Sequence, residues 1–261
     1  MNSQINVLLI VEGNKTERKF FEQISKVFGL KFKISCYKTN IYTLYKRMKE
    51  YNFDSDIKTI LLEQTEDVSE KEILNQKFAY TYLIFDCDLQ HSETNENELT
   101  IDYLVSKNMS ELKEMVQYFD NETDPTIGKL YVNYPMMESY KDCESFFDTN
   151  YSTNYINIDH LKKYKSIVGT KKLSNKRIDN YTYEDFKKLS KQNIYKLNKI
   201  INNLWNTLNY KNYQSISPID IINAEETIIN QQREIAVLNT SLFLIIDYFG
   251  NNNNFYDNFI N

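Results

Sequence analysis

The sequence predicts an α/β fold with a central parallel sheet flanked by helices, followed by a mainly helical C-terminal region. Three observations carry this. Residues 5–11 and 80–85 are short, unbroken apolar runs, the pattern of strands buried on both faces. Segments of helical spacing follow each run, and the alternation recurs around a third run at residues 128–134. Beyond residue 150 the short runs give way to long amphipathic stretches, so the chain divides into residues 1–150 and 151–261.

Taken in order, residues 5–11 form the first strand, and Gly13 comes next, where a tight turn with positive φ is expected. Residues 15–28 set Phe20, Phe21, Ile24, Val27 and Phe28 on one helical face. Residues 31–37 alternate Phe32, Ile34 and Cys36 as a second strand. Helices are expected at 41–51 and 57–64, and a charged helix or loop at 66–77. Residues 80–85 make the next strand, ending at Asp86. A polar loop is expected at 91–98 and a helix at 99–119. The run 128–134 is closed by Pro135, which cannot donate to a ladder. A helix begins near Met136 and places Glu138 in its first turn.

Residues 151–181 are polar, basic and aromatic without a clean period. Thr182, with Asp185 three residues on, starts a helix whose apolar stripe runs to about Leu208. Ser217-Pro218-Ile219-Asp220 is a stronger start, with a cap, proline at the first helical position and an acid at the third. That helix is expected to run to Phe249, with a break near residues 231–233, and to end at Gly250. The Asn-rich tail is expected to fray.

Composition narrows the class. At 261 residues with 41% apolar and 26% charged side chains, the chain is ordinary globular protein. No apolar run approaches the roughly 20 residues that span a bilayer, and the start lacks a basic-then-apolar leader. Cys36, Cys87 and Cys143 are scattered without CxxC or zinc spacing, which fits free thiols and a cytoplasmic setting. The net charge of −5 hides an asymmetry. Residues 1–150 hold 17 basic against 26 acidic side chains, whereas residues 161–199 hold 12 against 3. An acidic half followed by a basic stretch suits an enzyme that holds a metal in one part and a polyanion in another.

The chemistry gathers at strand ends. In open parallel sheets, sites form beyond the carboxyl ends of the strands. Glu12 and Asp86 both stand there, and Asp88 points the same way as Asp86 if the chain stays extended. Three converging carboxylates repel, and a hard divalent cation resolves that; oxygen ligands suit Mg²⁺ or Mn²⁺. Such a centre can polarise a phosphodiester and activate a water.

Glu12-Gly13-Asn14-Lys15-Thr16-Glu17, followed by Asp86-Cys87-Asp88, resembles the TOPRIM (topoisomerase–primase) signature. The Thr-Glu after the glycine makes it similar to OLD-type (overcoming-lysogenisation-defect) and RloB-like nucleases of bacterial defence systems. Asn133-Tyr134-Pro135-Met136-Met137-Glu138 resembles a further motif of that group, so the likeness covers roughly residues 5–145. It implies a TOPRIM-like sheet, Mg²⁺ dependence and cleavage or joining of nucleic-acid phosphodiesters. By position, Glu12 would be a general acid/base or first ligand, with Asp86, Asp88 and Glu138 as ligands. Glu17 would serve a second metal or support the first. The sequence departs from topoisomerases and primases at Gln90 and His91, where they place an acid. It contains no Walker A pattern, so any ATPase would be a separate partner.

The expected function is therefore a Mg²⁺-dependent nuclease acting in anti-phage defence through abortive infection. The alternative is a non-catalytic sensor or effector subunit working with a separately encoded ATPase; a homo-oligomer is compatible with either. Lys162, Lys163, Lys165, Lys171, Lys172, Lys176 and Arg177 could bind DNA or RNA phosphates, with Tyr164, Tyr181 and Tyr183 stacking on bases. Lys171 or Lys172 could stabilise the leaving oxygen, with Lys141 as another candidate. His91 could add a ligand or transfer a proton; His160 has no recognisable partner. Cys87 could sense oxidation if exposed. An aspartyl-phosphate enzyme shares the strand-borne Asp-x-Asp but leaves Glu12-Gly13 unexplained.

Overall fold

In the computed structural model, which describes residues 6–92, 99–120, 128–249 and 253–260, four parallel strands form the centre. β1 (Val7–Val11) is buried at every position, and α1 (Thr16–Phe28) returns the chain to β2 (Phe32–Cys36). Helices α2 (Ile41–Glu50), α3 (Ile57–Gln64) and α4 (Val68–Leu74) come next, capped at their N-termini by Asn40, Asp56 and Asp67. Then come β3 (Tyr80–Asp86), α5 (Ile101–Phe119) and β4 (Lys129–Asn133). The strand order is β2-β1-β3-β4, all parallel, with Val11 level with both Cys36 and Ile84.

This order fixes where a site can form. From β1 the chain steps one way to β2, and later steps to β1's other side for β3. The loops leaving β1 and β3 therefore diverge and leave a crevice at their carboxyl ends, as expected at a switch point of an open sheet. Glu12 comes directly after β1 and Asp86 is the last residue of β3.

The expected helix over 136–147 is instead a single 3₁₀ turn, Met137–Lys141. Backbone groups beyond it find partners outside a helix: Asn154 donates to the Asp142 carbonyl at 2.9 Å and Leu173 N–H to the Cys143 carbonyl at 3.4 Å. From residue 149 the chain runs through short turns, with strand β5 (Tyr155–Asn157) and helix α6 (Tyr164–Gly169) among them.

Helix α7 (Tyr183–Asn202) starts with the expected capping box but stops six residues short of Leu208. Asn203 takes the left-handed conformation (φ 59°) and closes it, so the apolar positions beyond belong to irregular chain. After α8 (Tyr210–Gln214), α9 (Pro218–Gln232) keeps its capping box and breaks at Arg233, the expected place. Past the break, the chain forms β6 (Glu234–Ala236), antiparallel to β5, and then α10 (Phe243–Tyr248). The expected stop at Gly250 lies outside the described residues. The tail is not frayed over its described part: α11 (Asn253–Ile260) buries Tyr256, Phe259 and Ile260.

Buried side chains of both parts form one cluster. Across it, the Tyr134 and Leu238 backbones pair, Thr240 donates to the Val132 carbonyl at 2.8 Å, and Gln23 donates to the Tyr181 carbonyl at 2.7 Å. Among the described residues no helix is long and apolar enough to cross a membrane. All three cysteines are free and buried.

Candidate metal centre

Glu12 stands where β1 leaves the sheet. Its N–H still continues the ladder to the Ile84 carbonyl at 3.2 Å, and its own carbonyl accepts from Lys38 N–H at 3.0 Å. The backbone is thus held on both sides. The carboxylate accepts from Asp86 N–H at 3.1 Å, which ties the ends of β1 and β3 together through a side chain. Asp86 in turn accepts from Met137 N–H at 2.7 Å, at the start of the 3₁₀ turn that carries Glu138.

Asp88 reaches the same place by a route the sequence did not predict. The chain does not stay extended after Asp86; Asp88 has φ of 36°, a left-handed conformation that aspartate tolerates better than most residues. The turn is held by Cys87 N–H on the Asn133 and Pro135 carbonyls, and by Asp88 N–H on the Pro135 carbonyl at 3.2 Å. Carboxylate oxygens of Glu12, Asp86 and Asp88 then lie within 4.8 Å of one another. This cluster could bind a metal ion.

The electrostatics state the cost of this arrangement. Burial pushes Glu12 up from its ordinary value to about 8, and the charges of Asp88, Glu17 and Glu138 add to the push. Asp86 is driven well above the carboxylate range by burial, then by Glu12 and Asp88. Asp88 is raised by burial, with the Gln90 amide, 3.0 Å away, opposing. Three half-buried acids that resist ionising together are a donor set short of positive charge, and their all-oxygen chemistry fits a hard divalent cation.

Glu17 and Glu138 lie at the edge of this group. Glu17 is in the first turn of α1, and burial raises it, with Glu138 adding to the effect. Its carboxylate folds back over Gly13: a Cβ at Gly13 would meet Glu17 Oε2 at 2.5 Å. That close approach, rather than the expected positive φ, is what glycine serves here, since positive φ among the described glycines is confined to Gly29 and Gly128. Glu138 pairs with Lys165 Nζ at 2.6 Å.

The basic segment is distributed differently from the expectation. Lys165, on α6, is a cation whose field reaches the acidic group, from Glu138 to Asp86 and Glu17. Lys171 is tied to Asp142 at 3.7 Å, Lys176 to Asp185 at 3.1 Å and Arg177 to Asp179 at 2.9 Å. Lys162, Lys163 and Lys172 are exposed. Lys141 is half-buried near Glu138 and Lys165, and burial lowers its ammonium pKa.

Tyr164 and Tyr181 are buried, so they cannot stack on bases as expected; their rings fill the core between the short turns. Only Tyr183 of the three is exposed. His91 stacks parallel on Tyr42 with ring centres 5.8 Å apart, outside the three-carboxylate group, and His160 is exposed. Cys87 is fully buried and its thiol is held well above its ordinary value by burial, the reverse of a reactive sensor. Gln90, which the sequence marked only as a departure from an acid, is instead the amide that donates to Asp88.

Comparison of the chain with protein-family models, with curated proteins and with solved structures finds no match.

Proposed function

We propose that this chain is a Mg²⁺- or Mn²⁺-dependent nuclease of the TOPRIM class that cleaves nucleic-acid phosphodiesters. The observation that carries the reading is the convergence of Glu12, Asp86 and Asp88 at the carboxyl ends of two adjacent parallel strands, with burial and mutual repulsion holding their carboxylates against ionisation. Glu12, Asp86 and Asp88 would hold the metal, with Glu138 and Glu17 beside them. The cation supplies polarisation of the scissile phosphate and activation of a water.

The chain's own groups divide the remaining work. Asp86 N–H and Met137 N–H hold the Glu12 and Asp86 carboxylates in place, so the site is organised before substrate binds. Lys165, exposed at its tip and paired with Glu138, is the cation best situated to meet a phosphate beside the acids, a role that passes to it from Lys171. Lys162, Lys163 and Lys172 extend positive charge along the neighbouring turns and would grip the flanking backbone. A role in anti-phage defence rests on the family resemblance, and a separately encoded ATPase would be the partner to seek.

Incubation of the purified chain with plasmid, linear DNA and RNA, in Mg²⁺, Mn²⁺ or EDTA, tests the reading. Metal-dependent cleavage that falls at least about a hundredfold in Glu12→Gln and Asp86→Asn is expected, since even residues that merely support metal ligands are worth about 10–100-fold. Cleavage undiminished in both variants would sink the mechanism. Metal binding without turnover on all three substrates would instead indicate a sensor or effector subunit.

A further inference from the structure

Beside the acidic centre, on the far side of β2, lies a second cavity of about 300 Å³. Its walls include Tyr37, Lys38, Leu61, Gln64, Glu70 and Leu74. It adjoins the metal centre through the backbone: Tyr37 N–H donates to the Val11 carbonyl at 2.8 Å and Lys38 N–H to the Glu12 carbonyl at 3.0 Å. One strand spacing, about 5 Å, therefore separates this wall from the chain carrying Glu12.

Tyr37 is 6% exposed, its ring packs edge-on against Phe85 at 5.8 Å, and its hydroxyl has no hydrogen-bond partner. A buried hydroxyl left unpaired costs about 1–3 kcal/mol, so it needs a reason. Gln64, an exposed side chain at the last turn of α3, stands near this hydroxyl and opposes the upward push of burial on it. Leu61 and Leu74 are buried apolar walls. The charges on the lining balance poorly for an anion: Glu66 and Glu70 stand against Lys38, and Glu70 is already engaged by Arg18 at 3.2 Å and Ser35 at 2.7 Å.

A larger cavity, about 590 Å³ near the amino ends of β3 and β4, is different in kind. Of its two lining carboxylates, Asp120 and Asp247, the latter is already met by Lys129 at 2.6 Å, Tyr131 at 2.6 Å and Tyr213 at 2.7 Å. The smaller cavity has polar capacity still to use.

We infer that the cavity beside β2 is a nucleobase pocket, which takes the base of a nucleotide adjacent to the phosphate at the acidic centre. Apolar walls suit the faces of a flat heterocycle. A hydroxyl and an amide suit its edge, the Gln64 amide matching the donor–acceptor pair of adenine. A lining with more acid than base suits a neutral group rather than a phosphate. Recognition of this kind needs an unstacked base, as in single strands, loops or an extruded nucleotide. The adjacency to a scissile phosphate rests on the nuclease reading; the binding of the base does not.

The test uses the full chain in EDTA and the four nucleosides adenosine, guanosine, cytidine and uridine, which lack a phosphate for the acidic centre. Calorimetry should detect binding, tightest for adenosine, and Tyr37→Phe should weaken it by about three- to tenfold. Asp86→Asn should leave it unchanged. A thermal melt checks that Tyr37→Phe is folded; if it is not, Gln64→Leu, on an exposed side chain, replaces it with the same expected loss. No binding of any nucleoside at millimolar concentration, or binding indifferent to the variant, overturns the pocket. Because no turnover is read, that failure is distinct from failure of the cleavage assay.

Discussion

Glu12 is the residue on which charge, metal and stability meet. Its folded value of about 8 lies above the ordinary carboxylate value of 4.5. Between those limits the folded chain keeps a proton that the unfolded chain has released. The contribution of Glu12 to stability is therefore present at low pH and lost as pH rises through that window. A divalent cation bound by these carboxylates would take the place of that proton and compete with it. The thermal midpoint in EDTA should be higher near pH 5 than near pH 8, and Mg²⁺ should raise it at pH 8 far more than at pH 5. A midpoint that ignores both pH and Mg²⁺ would remove the electrostatic basis of the site. Glu12, Asp86 and Asp88 were legible in the sequence because each closely trails an apolar strand. Lys165 was not separable from its six basic neighbours, because their division depends on which acids the fold brings to them.

Among the elements, the turn from β1 into α1 is the one where sequence and geometry meet most closely. Gly13 gives up a side chain so that the Glu17 carboxylate can occupy the space. Because the backbone there needs no positive φ, alanine is conformationally acceptable, and the strain falls on a movable carboxylate. Gly13→Ala should hold stability within about 1 kcal/mol by urea unfolding while lowering Mg²⁺ affinity by about tenfold or more. An unchanged Mg²⁺ titration would show that Glu17 has no part in the centre. Helix starts were legible where a capping box is written locally, as at Thr182 and Ser217, but the starts of the short helices α6, α8, α10 and α11 were not foreseen. Helix ends were less so: α7 stops at a left-handed asparagine, and the turn at Met137 shortens because distant groups claim its backbone.

At the scale of the molecule, the second part completes the core of the first. Asn133 accepts from the Ser241 hydroxyl at 2.9 Å and backbone N–H at 3.2 Å, both buried, and Asn239 donates to the Met137 carbonyl at 2.9 Å. Lys196 is buried with its ammonium on the Ser152 and Asn154 carbonyls, and burial lowers its pKa to about 7. The buried polar groups of Asn133 and Asn239 are tolerable only while both parts stay together. Trp205, the single tryptophan, lies in the second part and reports on it alone. Its fluorescence and the far-UV circular dichroism should give one coincident urea transition. A separate Trp205 transition would mean that the two parts unfold independently.

The sequence by itself determined the alternation of strands and helices, the placing of Glu12 and Asp86 at strand ends, and the helix caps at Thr182 and Ser217. Each of these depends on residues within a few positions of one another, where periodicity and side-chain chemistry act directly. Tertiary structure decided the order β2-β1-β3-β4, the turn that aims Asp88, the pairing of Lys165 with Glu138, and the burial of Tyr164 and Tyr181. Those outcomes turn on which distant backbone and charged groups satisfy one another. A run of apolar residues names a strand but not its neighbour, and a charge names its sign but not its partner. At Glu12 the two meet: its position was written locally, and its raised proton affinity comes first from burial and then from acids up to 126 positions away that the fold brings near it.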